Sequence, residues 1–284
     1  MAGTSSQPRS RPRPRRSVLF SPGDQPTLMR KAPRTGADVV VFDLEDAVAP
    51  TNKQAGREAV AEVLTDPAFD PDCEVCVRVA GHDDLAFLAD DSARLDSTML
   101  PKTESAADVN DFSALLTERD VDVPVLALCE TAAGVLHAEE IAAASATTAI
   151  AFGAEDLSAD IGANRTEDGT EVLYAREHVV LAASAAGVDA IDTVFTDIGD
   201  TDRLADETAF ARDLGYDGKM AIHPEQVPVI NDAFTPTDEQ IEWARRVLAA
   251  RDEHDGGVFR VDDEMIDAPL ISRAKNILER IDYE

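Results

Sequence analysis

Val125-Leu-Ala-Leu-Cys-Glu130 and, beyond an intervening turn, Thr148-Ala-Ile-Ala-Phe-Gly-Ala-Glu155-Asp156 govern the reading of this chain. Each is a short, nearly uninterrupted apolar run that ends abruptly in a carboxylate. A parallel strand buried on both faces has this form when its last residue points into an active site. Two acids are thereby offered at one rim. An oxygen-only pair suits a hard divalent cation such as Mg2+, which takes one or two carboxylates from a protein and leaves its other positions to water and substrate. The same acids also fit as helix caps at strand ends, and these two runs alone leave both readings open.

The pattern recurs along the chain. Candidate strands are Ser17 to Phe20, Asp38 to Phe42, Glu74 to Val79, Thr98 to Leu100, Val123 to Leu128, Thr148 to Phe152, Asp189 to Asp192 and Gly218 to Ile222. Between them lie stretches of helical period, among them Ala55 to Leu64, Ala106 to Thr117, Glu171 to Ala186 and Arg203 to Leu214. Eight strands alternating with helices predict an α/β fold, a (β/α)8 TIM barrel over residues 16–235. A doubly wound sheet alternates in the same way, but neither GxGxxG nor GxxxxGK[ST] occurs. Thr237 to Ala250 and Leu270 to Ile281 predict a C-terminal helical extension over 236–284, with Trp243 expected to anchor it on the barrel.

In a barrel, the residues just past each strand share the catalytic face. They are Ser21-Pro22-Gly23, Asp43 to Asp46, Arg78, Pro101-Lys102, Glu130, Glu155-Asp156, Asp192-Thr193 and His223-Pro224. Arg78 and Lys102 interrupt apolar segments, which sets them apart from loose surface charges. They serve either chemistry or structural pairing with the ring's acids.

Acids outnumber bases 56 to 26 for a formal charge of -30, with no long acidic block. This spread argues against nonspecific binding to nucleic acid or an anionic membrane. It points to a halophilic protein, because salt screens the self-repulsion of such a surface. Residues 1–15 differ: rich in Arg and Pro and free of acid, they predict a disordered basic tail. No apolar run reaches membrane-spanning length and no signal core precedes the first strand, so a cytoplasmic location is expected. Cys73, Cys76 and Cys129 do not make a disulfide framework, and the CxxC pair lies in a strand with no second pair to complete a zinc site. The five histidines include no HExxH.

Six ordered segments carry a resemblance: Arg16-Ser-Val-Leu-Phe-Ser-Pro-Gly23, Val41-Phe-Asp-Leu-Glu-Asp-Ala-Val48, Leu100-Pro-Lys-Thr-Glu-Ser105, Glu130-Thr-Ala-Ala-Gly-Val135, Phe152-Gly-Ala-Glu-Asp-Leu157 and Lys219-Met-Ala-Ile-His-Pro224. Together they resemble the citrate lyase β-subunit family, which includes malyl-CoA, β-methylmalyl-CoA and citramalyl-CoA lyases within the HpcH/HpaI aldolase group. The resemblance implies Mg2+, with Mn2+ as a substitute, on Glu130 and Asp156. It implies that Arg78 grips the substrate carboxylate or carbonyl and that Glu45 and Asp46 sit near metal-bound water. It assigns Arg16, Ser21, Pro22, Lys53, Lys102, Gly153, Ala154, Glu155 and His223 to the CoA thioester and substrate.

Met265-Ile-Asp267 resembles the family's C-terminal MID motif, which makes Asp267 the acid/base in a neighbouring subunit's site. By composition alone Asp267 is equally a helix-start residue ahead of Pro269. The implied activity is a carbon-carbon lyase that splits or forms a 3-hydroxyacyl-CoA such as malyl-CoA or β-methylmalyl-CoA, with a keto acid as second substrate, in a homotrimer or homohexamer. A malyl-CoA thioesterase and a carrier-protein-bound citrate lyase subunit share these motifs.

Overall fold

The computed structural model describes residues 14–90, 92–254 and 257–281. Eight parallel strands close into one barrel, each bonded to the next and the last to the first. They are β1 (Ser17–Pro22), β2 (Val39–Asp43), β3 (Glu74–Arg78), β4 (Ser97–Leu100), β5 (Val125–Cys129), β6 (Thr147–Phe152), β7 (Asp189–Asp192) and β8 (Gly218–Ala221). The expected TIM barrel is therefore present, with strand ends within about two residues of the sequence reading, the ordinary latitude of such boundaries.

The strands read as solid apolar runs because both of their faces are covered. Val18, Val41, Cys76, Met99, Leu126, Ala151, Ile191 and Met220 fill the barrel interior. Alternate residues such as Leu19, Phe42, Val77, Ala127 and Phe152 pack outward beneath the helices. The helices have local stop and start signals: Ser105 and Asp108 form a capping box ahead of Ala106–Thr117, and Gly187 ends Leu173–Ala186 at φ 71°.

Arg15 corrects the boundary of the expected tail. It is buried at the amino-terminal end of the barrel, where it bonds Glu74 at 2.7 Å on β3 and Asp189 at 3.0 Å on β7. Residues 1–13 of the expected tail lie outside the described residues.

Contacts divide the chain into a barrel unit, Arg15–Phe234, and a C-terminal unit from Thr235 onward. In the second, helices Asp238–Asp252 and Ala268–Ile281 and a hairpin of Phe259–Val261 with Glu264–Ile266 share a core of Ala244, Val247, Phe259, Ile266 and Ala274. Trp243 packs against the core of this unit. Its indole N–H donates to Glu264 at 2.9 Å, and Arg273 lies over its ring at 5.4 Å. Among the described residues no helix is long and apolar enough to cross a membrane.

Candidate active site

Side chains along a strand alternate between faces, so the interior layer determines which strand-end residues face inward. Two residues beyond Phe20, Val41, Cys76, Leu128, Ala151 and Ile191 come Pro22, Asp43, Arg78, Glu130, Gly153 and Thr193. All six line a cavity of about 400 Å³ at the carboxyl ends of the strands, together with Asp46, Ala154, Glu155 and Asp156.

Arg78 is held on several sides. Its Nε and Nη2 donate to Asp43 at 2.7 and 2.6 Å, and Nη1 lies 3.1 Å from Glu45 Oε2. Asp46 stands 3.7 Å away, and the Phe20 ring lies 4.9 Å from the guanidinium carbon. Two of five N–H donors are spent on Asp43, so the planar fork arrives oriented, with donors left for a ligand. Asp43, outside the residues that the resemblance assigns, is the one that orients Arg78 in the cavity. Its signal was present: it follows Val39 and Val41 in the inward register of β2, and is only 1% exposed.

Glu130 is 2% exposed, and its Oε1 accepts the Lys102 backbone N–H at 2.9 Å. Lys102 turns that N–H inward by adopting φ 48°, a left-handed conformation unusual for a residue with a side chain. Its ammonium bonds Glu45. Burial pushes the Glu130 carboxyl up to about 8; the Lys102 hydrogen bond opposes this, while Asp156 and Glu45 add to it. Burial also raises Glu45, against the Lys102 hydrogen bond and the Arg78 charge.

The donor set fits a hard divalent cation. Asp43, Asp46, Glu130, Glu155 and Asp156 line the cavity alongside one lining cation, Arg78, so it holds excess negative charge. No group of three or more His, Cys, Asp or Glu residues gathers as a closed metal cage among the described residues. Two carboxylates with room for water and substrate match what Mg2+ takes, and an all-oxygen set disfavours zinc.

Residues 16–224 match the HpcH/HpaI aldolase/citrate lyase family. The chain belongs to that family. A citrate lyase subunit beta-like protein of Deinococcus radiodurans is 39% identical across 93% of this chain and 96% of its own. The mitochondrial citramalyl-CoA lyase of Mus musculus is 36% identical, across 93% and 85%. Among solved structures of the family, CitE from Mycobacterium tuberculosis in complex with magnesium, acetoacetate and coenzyme A superposes with a TM-score of 0.80. It is 38% identical and the match covers 95% of this chain and 98% of that one.

Within this member of the family several expected site residues of the barrel unit do not line the cavity. Arg16 precedes β1 and pairs with Asp38 ahead of β2, so about 20 Å of strand separates it from the catalytic face. Ser21 follows Leu19 on the helix-facing side of β1 and is buried. Lys53 folds back on the β2 loop, where its ammonium bonds the Leu44 carbonyl at 2.6 Å and that of Glu45. The His223 ring accepts the Glu225 N–H at 3.3 Å, while Ile222 lines the cavity in its place. Asp267 is exposed in the C-terminal unit, where its Oδ1 accepts the Leu270 N–H at 3.3 Å as a helix cap.

Asp192 leaves the catalytic ring altogether. It faces outward, fully buried, and receives Arg176 at 2.7 and 2.7 Å and Lys219 at 2.6 Å. Asp192→Ala is expected to cost at least about 3–5 kcal/mol, because it strands two cations without a partner. Urea unfolding measures this; a loss under about 1 kcal/mol contradicts the buried-triad account.

Proposed function

We propose that this protein is an Mg2+-dependent carbon-carbon lyase that cleaves, or forms, a 3-hydroxyacyl-CoA of the malyl-CoA or β-methylmalyl-CoA type. The products are acetyl-CoA or propionyl-CoA and glyoxylate. The convergence of Glu130, Asp156 and Arg78 on one cavity carries the reading. The similarity to a mitochondrial citramalyl-CoA lyase and to CitE in complex with magnesium, acetoacetate and coenzyme A supports it.

Cleavage takes the proton from the 3-hydroxyl and breaks the C2–C3 bond. C3 becomes the aldehyde carbonyl of glyoxylate, and the electron pair is left as an enolate on the thioester, which then takes a proton at C2. Glu130 and Asp156 would hold the metal, which supplies Lewis-acid polarisation of the hydroxyl as it turns into a carbonyl. Arg78 places the donors not taken by Asp43 on the keto-acid oxygens, and the acids behind it keep the guanidinium aimed. Pro22, Gly153 and Ala154 form walls, which lets the acyl chain approach backbone.

Asp267 of a neighbouring copy is the proposed acid/base, in a homotrimer or homohexamer. Its second carboxylate oxygen is outside the capping bond and so open to proton transfer. Chains carrying Arg78→Ala mixed with chains carrying Asp267→Ala should regain activity in shared sites. Well-mixed oligomers that stay inactive argue against a shared site.

Product analysis in high-salt buffer with Mg2+ tests the function. Acetyl-CoA or propionyl-CoA released with glyoxylate from malyl-CoA or β-methylmalyl-CoA is expected. Free CoA with an intact hydroxy diacid would make the protein a thioesterase instead.

A further inference from the structure

Helix Ala154–Asp160 carries Asp156 in its first turn, and its N-cap is Gly153, which offers no side-chain oxygen to the free amide groups. A Ser, Thr, Asp or Asn at that position is the common solution. Here Glu130 blocks it: a Cβ on Gly153 would stand 2.5 Å from Glu130 Cβ and 2.8 Å from its Oε2. The close seating of the two acidic elements therefore removes the helix's own cap.

The missing acceptor comes from the next strand. Thr193, just past β7, accepts the Ala154 N–H on its Oγ1 at 3.1 Å, and both residues are buried. The main chain immediately before Thr193 is pinned from behind, because Asp192 is gripped by Arg176 and Lys219. Arg176 is itself tied in place, its carbonyl accepting the Tyr216 hydroxyl at 2.8 Å. A chain of buried bonds thus runs from the outer helix layer, through β7, to the first amide of the helix that bears Asp156.

We propose that Thr193 is a positioning residue for the metal pair: it caps the Asp156 helix from β7 and so sets Asp156 against Glu130. This rests on the reading of Glu130 and Asp156 as the Mg2+ ligands. Thr193 also lines the cavity, so a substrate contact is the competing role, and a plain stability role is the other. Metal binding in the absence of substrate separates all three.

Thr193→Val keeps the shape and removes the acceptor, whereas Thr193→Ser keeps the acceptor. Mn2+ binding to the substrate-free protein is read from the paramagnetic resonance signal of free Mn2+, with thermal unfolding recorded alongside. Thr193→Val is expected to weaken Mn2+ binding about 10- to 100-fold, the usual effect of losing a group that orients a metal ligand. Thr193→Ser should stay within about threefold of the wild type, since a serine hydroxyl caps as well as threonine's.

Asp156→Asn, run in parallel, should weaken binding at least as much as Thr193→Val. If Thr193→Val binds Mn2+ like the wild type while Asp156→Asn does not, the positioning role is overturned and the metal pair stands. Should Asp156→Asn also bind normally, the metal-pair reading fails and takes this inference with it. Equal loss of Mn2+ binding in the valine and serine variants also overturns the role, since the acceptor would then be irrelevant.

Discussion

Glu130→Gln is expected to abolish Mg2+-dependent turnover while leaving the barrel folded. Loss of a metal that stabilises a transition state by several kcal/mol corresponds to roughly 1000-fold or more in rate, at about 1.36 kcal/mol per tenfold. The amide keeps an oxygen for the Lys102 N–H that Glu130 Oε1 now accepts, so the local backbone has no reason to move. The substitution also has a readout independent of activity. In the metal-free fold the carboxyl titrates at about 8, against an ordinary 4.5, because burial penalises its charge. Between those values the native state holds a proton that the unfolded chain has released, so stability falls as pH rises from about 4.5 to about 8. Glu130→Gln should remove this component of the slope. Added Mg2+ should stabilise the wild type at the upper end of that window and the variant hardly at all. A variant that keeps Mg2+-dependent turnover would refute the assignment of Glu130, and one that unfolds would make Glu130 a structural residue.

Arg78→Ala should lower kcat/KM about 100- to 1000-fold, the range seen when one preorganised donor is taken from a developing oxyanion. Lysine should not rescue it, because an ammonium cannot meet Asp43 through two parallel bonds and still present donors in a plane. The alanine variant should also lose about 3 kcal/mol of stability, since buried Asp43 loses its cation and keeps only the Glu45 and Ala47 backbone N–H groups, at 2.8 and 3.0 Å. Pairing Arg78→Ala with Asp43→Asn separates the two effects. The double variant is expected to recover part of the stability and none of the turnover, because the stranded charge is gone, while one backbone N–H loses its carboxylate acceptor and the guanidinium donors are still absent. Recovery of activity along with stability would mean that Arg78 acts only as a buried counter-ion.

The barrel was legible because a parallel strand covered on both faces leaves a plain mark, a short apolar run with a polar end, and the mark recurs eight times. Glu130, Asp156 and Arg78 were legible for the same reason, as charges placed where such runs stop. Asp43 carried the same signal, in register with Val39 and Val41, yet the neighbouring Glu45 and Asp46 drew the assignment to the loop. Arg16 and Ser21 belong to one motif but do not share the cavity. A strand's two ends lie at opposite rims of a barrel and its alternate residues on opposite faces, so adjacent letters of the Arg16–Gly23 segment part company in space.

The sequence by itself determined the alternation of strands and helices and the acids at the carboxyl ends of the fifth and sixth strands. Those are local matters, set by periodicity and by where apolar runs end. Only the tertiary structure decided which charges pair. Arg78 meets Asp43 across 35 residues, and Lys102 meets Glu45 across 57. Thr193 caps a helix that begins 39 residues before it. Barrel closure brings these partners together, and a sequence carries no local mark of a contact whose two halves become neighbours only when the eight strands close.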